Sequence, residues 1–221
     1  MAGETLSKES VPRSVVLEKP SPRLSLCKTN RSFTYVLSDL MTHSAEKYSI
    51  KNAEIEGNYR YVLHAETSCS GDKRLAVIQI NPSLASNARS DATVGKVANW
   101  AQRQGYKQVV FLNLFAYIHP HQDEIPNLPY TILVGPRNDE IIRKYAHPGY
   151  DVIAAWGRPA GLLRQHYAER LSQMKELLSD LSILHIGGLS YGRFPRHGRA
   201  WNKKNDQKNK LHWNTIHNEA L

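Results

Sequence analysis

The segment Leu75–Ile80, LAVIQI, is an unbroken apolar run that stops abruptly at Asn81-Pro82-Ser83. A run of this length, bounded by a polar turn, reads as a buried strand ending at a polar corner. The same unit then recurs. Ser90 or Asp91 caps a helix running to Gln104, with Val94, Val97, Ala98 and Ala101 on one face and Gly105 as its stop. Gln108–Leu112 is the next strand and ends at Asn113. Asn138–Tyr145 reads as a short helix, and Asp151–Ala155 as a third strand ending at Trp156-Gly157. Pro159 opens a helix that carries Leu162, Leu163, Tyr167, Leu171, Met174 and Leu178 at helical spacing. Leu181–Ile186 is a fourth strand, stopping at Gly187-Gly188. Parallel neighbours need crossover connections, so alternating strands and helices predict an α/β fold with a central, mostly parallel sheet covered on both faces. In such sheets ligands bind beyond the carboxyl ends of the strands. The topology therefore gathers Asn81, Asn113, Trp156-Gly157 and Gly187-Gly188 along one edge.

The rest of the chain frames this unit. Residues 1–50 are expected to form an amino-terminal extension, flexible over Met1–Asn30, with a helix or irregular cover over Arg31–Lys51; the domain proper is placed at 51–221. Tyr59–His64 alternates as a flanking strand. A chain of 221 residues with 41% hydrophobic content supports one sizeable core. Its 29 Lys and Arg against 20 Asp and Glu give a net charge of +9, which favours polyanionic partners, nucleic acid first. Arg193, Arg196, Arg199, Lys203, Lys204, Lys208 and Lys210 face only Asp206 within 193–210, supplying +6 of that surplus. No apolar run approaches the ~20 residues that span a bilayer, and the amino-terminal residues lack an apolar secretion core, so a soluble, cytoplasmic protein without a membrane partner is expected. No obligate protein partner is evident. Cys27 and Cys69 have neither zinc spacing nor a redox motif. His119 and His121 lack further ligand residues, so neither metal nor cofactor is expected. Phosphate loops, nucleophile elbows and dinucleotide fingerprints are absent.

Asn81-Pro82-Ser83, Ser90-Asp91-Ala92-Thr93, Asn113-Leu114-Phe115-Ala116-Tyr117, Val134-Gly135-Pro136-Arg137-Asn138-Asp139 and Ala155-Trp156-Gly157 occur in this order. Together they resemble a bacterial and phage family long catalogued as a domain of unknown function, over roughly Tyr59 to Trp201. That family usually shows paired aspartates before the threonine and a His-Pro near the end, where this chain has Ser90-Asp91 and His197-Gly198. The segments Gln79-Ile80-Asn81-Pro82, Phe111-Leu112-Asn113 and Ala154-Ala155-Trp156-Gly157 also resemble the uracil-DNA glycosylase superfamily, including its three-layer α/β/α sandwich. The resemblance implies that Asn81 positions the hydrolytic water and that Asn113 reads an extruded base. It also puts Ser83 where classical uracil enzymes carry a bulky aromatic. The small residue there implies a 5-substituted pyrimidine as substrate, with the glucosylated hydroxymethylcytosine of phage DNA as one candidate.

A glycosylase must extrude its nucleotide, stabilise sugar cation character, supply water and accommodate the departing base. Asp91 is either a base facing the sugar or a helix cap. His197 either donates to the leaving base or sits in a solvated basic loop, and Phe194 is a candidate wedge in the base stack. Tyr117, Trp156 and Gly157 are expected to line the substrate site, with core packing and tight turns as the plainer roles of Trp156 and Gly157. Arg193, Arg196, Arg199, Lys203 and Lys204 are assigned to double-stranded DNA. Arg137, Asn138 and Asp139 begin a helix, where capping is the expected role. The expected activity is monofunctional base excision; a catalytically silent module for modified DNA and an enzyme of free nucleosides are the alternatives.

Overall fold

The computed structural model describes residues 34–35, 48–82, 92–119 and 121–217. All belong to one compact unit, Ser32–Leu221. The strands are β1 (Thr34–Tyr35), β2 (Tyr48–Glu56), β3 (Tyr59–Thr67), β4 (Lys73–Gln79), β5 (Tyr106–Asn113), β6 (Asp151–Ala154), β7 (Ile183–Ile186) and β8 (Lys208–Lys210). The helices are α1 (Ala92–Arg103), α2 (Tyr130–Val134), α3 (Asn138–Tyr145), α4 (Gly161–Gln165), α5 (Tyr167–Leu177) and α6 (Trp213–His217).

The apolar run that begins at Leu75 forms the middle of the sheet. β4 lies between β5 and β6, parallel to both, and β7 runs parallel to β6. Successive side chains leave β4 on opposite faces. Leu75 and Val77 enter a cluster with Val94, Val97, Trp100 and Ala101 of α1. Ala76 and Ile78 enter a second cluster with Leu133, Ile142, Leu171 and Met174 from α2, α3 and α5. Two helical layers thus enclose the sheet, and burial of each such Val, Leu or Ile stabilises the fold by about 1.5–3 kcal/mol.

The expectation of a mostly parallel sheet needs correction. The full order is β1-β2-β3-β5-β4-β6-β7-β8, a parallel centre of four strands with antiparallel margins. The helix or irregular cover expected over Arg31–Lys51 is replaced, where described, by β1 and by β2, which begins before the expected domain boundary at 51. Lys51, Asn52, Glu54 and Glu56 are weak strand formers, and two register shifts against β3 break the alternation. The overlooked signal is Gly57-Asn58, a two-residue loop with Gly57 at φ +55° joining β2 to β3. β8 was hidden because Lys-Asn-Lys has little strand character, although lysine suits a sheet margin.

Direction of winding locates the functional edge. The chain leaves β4 through α1 in one layer to reach β5, then crosses through α2 and α3 in the other layer to β6 on the far side of β4. Connections from β4 and β6 thus depart toward opposite layers, which opens a crevice at their carboxyl ends.

Candidate functional site

Asn81 follows β4 directly at this crevice. Its Nδ2 donates to the His119 carbonyl at 2.9 Å and to the Pro82 carbonyl at 3.3 Å. The His119 amide in turn donates to the Pro82 carbonyl at 3.2 Å. Both amide hydrogens are therefore directed at main chain, which fixes the carboxamide plane and leaves Oδ1 as the acceptor for a ligand or water. Ser83 and Asp91 lie outside the described residues, in the connection between β4 and α1.

A strap crosses the crevice. Phe194 is buried in the α2–α6 layer beside Tyr167, at 5.9 Å between rings. Trp201 is buried in the opposite layer, edge-on to Trp100 at 5.0 Å, and its Nε1 donates to the Arg196 carbonyl at 3.1 Å. Residues between them therefore pass over the carboxyl edge from one layer to the other. His197 rests on Gly157: a Cβ at Gly157 would stand 2.9 Å from that of His197, and Gly157 has φ +69°. Next to it, a Cβ at Gly198 would stand 2.6 Å from Val97 Cγ2, 3.3 Å from Thr93 Cγ2 and 3.9 Å from Gln79 Nε2. Two glycines thus let the strap settle onto the end of β4, the turn after β6 and the first turn of α1. His197 Nδ1 accepts from the Arg199 amide at 3.2 Å, which assigns the proton of the neutral ring to Nε2. Lys96 Nζ donates to the Arg199 carbonyl at 2.8 Å and ties the strap to α1.

Several predicted site residues sit beneath this surface rather than on it. Asn113 is fully buried at the end of β5; its Nδ2 donates to the Arg60 carbonyl at 3.3 Å, and its Oδ1 has no partner among the described residues. Trp156 is fully buried, donates from Nε1 to the Tyr167 hydroxyl at 2.8 Å and stacks on Trp213. The Tyr167 hydroxyl is held above its usual pKa by burial. Tyr117 is half-buried with its ring edge-on to Tyr59 at 6.2 Å. Phe194, expected as a wedge, is an anchor: only 2% of it is exposed. The capping expected of Arg137, Asn138 and Asp139 is also corrected. Asn138 is buried and donates to the carbonyls of Asn113 and Leu114, both at 3.0 Å. Asp139 lies 2.7 Å from the buried Arg170 guanidinium, whose Nε donates to the Leu114 carbonyl at 2.7 Å. Arg137 pairs with Glu54 and Glu56 on β2. These residues brace the strand end from below.

The basic residues line the same edge unequally. Arg199, Lys203 and Lys204 are exposed, and the turn bearing the lysines is held by Asn202 Oδ1, which accepts from the Lys204 amide at 2.9 Å. Arg196 donates from Nε to the Gly188 carbonyl at 2.9 Å, and Arg193 lies 5.0 Å over the Phe194 ring. Lys208 is diverted to Asp151 at 3.3 Å and to the Tyr106 hydroxyl at 2.9 Å. Arg158, which sequence reasoning did not assign, adds an exposed cation directly after Gly157. Among the described residues no group of three or more metal-ligating side chains converges, and no helix is long and apolar enough to cross a membrane. A concavity of about 330 Å³ lined by Lys51, His64, Glu66, Gln108 and Tyr150 lies at the opposite, amino end of β5 and β6, remote from the strap.

No curated protein and no solved structure matches the chain. The family described as "Protein of unknown function (DUF1643)" matches residues 60–198, from the start of β3 into the strap, so it covers β4, the β6 turn and His197 together. The chain accordingly belongs to the DUF1643 family.

Proposed function

We propose that this protein is a DNA glycosylase that hydrolyses the N-glycosidic bond of a 5-modified pyrimidine and leaves an abasic site. The observation that carries the reading is the juxtaposition at the winding reversal: an oriented carboxamide after β4, a histidine laid over Gly157 after β6, and an exposed basic rim on the same strap. The resemblance of the strand-end motifs to the uracil-DNA glycosylase superfamily supports it. Asn81 Oδ1 accepts from a water, whose oxygen bonds to the anomeric carbon as the glycosidic bond breaks. The bonding pair leaves with the base, whose anion is stabilised by a hydrogen bond from His197 Nε2–H and takes its proton from solvent, to which the water's proton also passes. The basic rim holds the phosphates.

Burial of Asn113 removes the base-reading group that the resemblance implied and favours a second reading, a module that binds modified DNA without excising it. Incubating the protein with duplexes containing uracil, hydroxymethylcytosine or its glucosylated form, followed by alkali, separates the two. Excision of one modified base, lowered about 10²–10³-fold in Asn81→Ala, is expected. Tight binding without strand breaks assigns the silent module instead.

A further inference from the structure

The loop after β7 carries a feature that base excision leaves unexplained. Ser190 and Phe194 pair across a tight turn: the Ser190 amide donates to the Phe194 carbonyl at 2.7 Å, the Phe194 amide to Ser190 at 2.9 Å and the Arg193 amide to Ser190 at 3.2 Å. Two residues of the turn are left-handed, Tyr191 at φ +52° and Gly192 at φ +71°. Three residues, Tyr191–Arg193, separate the paired Ser190 and Phe194, and the first of them holds the positive-φ conformation that Gly or Asn takes most readily in such a loop. Tyr191 is the one non-glycine residue with positive φ among those described. No burial offsets that strain, because Tyr191 is 78% exposed; apart from Ile132 it is the one exposed large hydrophobic side chain among the described residues. Backbone strain at a residue whose side chain is exposed points to a use outside the fold.

The surroundings indicate what that use is. Arg158 lies 5.1 Å over the Tyr191 ring, and Arg193 caps the Phe194 ring at the base of the hairpin. Phe194, buried against Tyr167, holds the hairpin rigidly, so the tip is presented by a fixed support. A rigid aromatic face flanked by guanidinium groups fits a nucleobase, with phosphates reached by the cations. A lone tyrosine offers little apolar area to a lipid surface by comparison.

We propose that Tyr191 is a nucleobase-stacking residue, presented by the Ser190–Arg193 turn to the bases of a DNA strand whose phosphates Arg158 and Arg193 contact. The proposal rests on DNA as the partner but not on base excision. Its test uses the full chain and a short duplex carrying 2-aminopurine, whose fluorescence reports unstacking, read alongside thermal melting. Wild type is expected to bind and change the fluorescence. Tyr191→Gly, which relaxes the turn, is expected to raise the Tm or leave it unchanged while weakening binding about tenfold and removing the fluorescence change. Tyr191→Trp is expected to retain both. The proposal is overturned if Tyr191→Gly binds like wild type, if its Tm falls together with binding, or if wild type binds no DNA. Base excision assayed on the same proteins separates the two readings. Stacking that depends on Tyr191 without excision removes the glycosylase alone; excision with binding independent of Tyr191 removes the stacking role alone.

Discussion

Gly157 shows how much a single position can decide at this site. It combines a left-handed backbone with contact against His197 that leaves no room for a methyl group. Gly157→Ala should cost about 1–2 kcal/mol for the backbone alone, and more once His197 is pushed away. We expect a lower Tm by thermal melting and, if the proposed excision is the activity, a fall in it beyond the fraction that unfolds. Equal activity per folded molecule would show that the seat of His197 does not matter. Asn81 and Asn113 make a contrasting pair. Each follows a strand and looks equivalent in the sequence, yet one is half-buried at the crevice while the other lies wholly inside. What separates them is the Asn138–Arg170 network that closes over the end of β5, built from residues 24 to 56 positions downstream. Local pattern carries no record of such distant partners.

At the scale of elements, the strands of the parallel centre and their order along the chain were legible, because strands buried on both faces reveal themselves as apolar runs. Of the antiparallel margins, β3 was legible at Tyr59–His64, whereas β2 and β8 were not, being largely polar and bulged or very short. The strap escaped for a related reason. Its Arg and Lys residues read as a solvated basic loop, while Phe194 and Trp201, lone aromatics seven residues apart, gave no periodic signal. They are nevertheless its fastenings. Trp201→Ala should destabilise the protein by about 3–5 kcal/mol, the usual cost of truncating a buried large aromatic. Chemical denaturation will measure it, and a loss under 1 kcal/mol would mean that the strap is held elsewhere.

For the molecule as a whole, charge and protonation make two predictions. If Lys203 and Lys204 contact phosphates, replacing both with alanine should flatten the dependence of log K on log salt concentration by about 1.8, since each contact contributes about 0.9. An unchanged slope would place DNA away from this turn. Burial holds His64 and His185 below the usual imidazole pKa of 6.5, with Lys144 adding to the effect on His64 and His212 to that on His185. The folded chain therefore binds fewer protons than the unfolded chain just below that value. The stability these groups contribute is present in full above about pH 6.5 and declines as the pH falls through the unfolded pKa toward the depressed folded ones. Denaturation midpoints should drop between pH 7 and 5, and less so in a His64→Gln, His185→Gln variant; a flat profile would refute the assignment.

A strap moored in two separate cores cannot breathe on its own. To lift His197 from Gly157 the chain must pull either Phe194 from one layer or Trp201 from the other. The amides of Ala200 and Trp201, which donate to the carbonyls of His197 and Gly198, should therefore exchange with deuterium only as slowly as the central strand β4, although they lie in a connecting segment. A ligand would therefore meet, along this strap, a wall whose position was set when the domain folded.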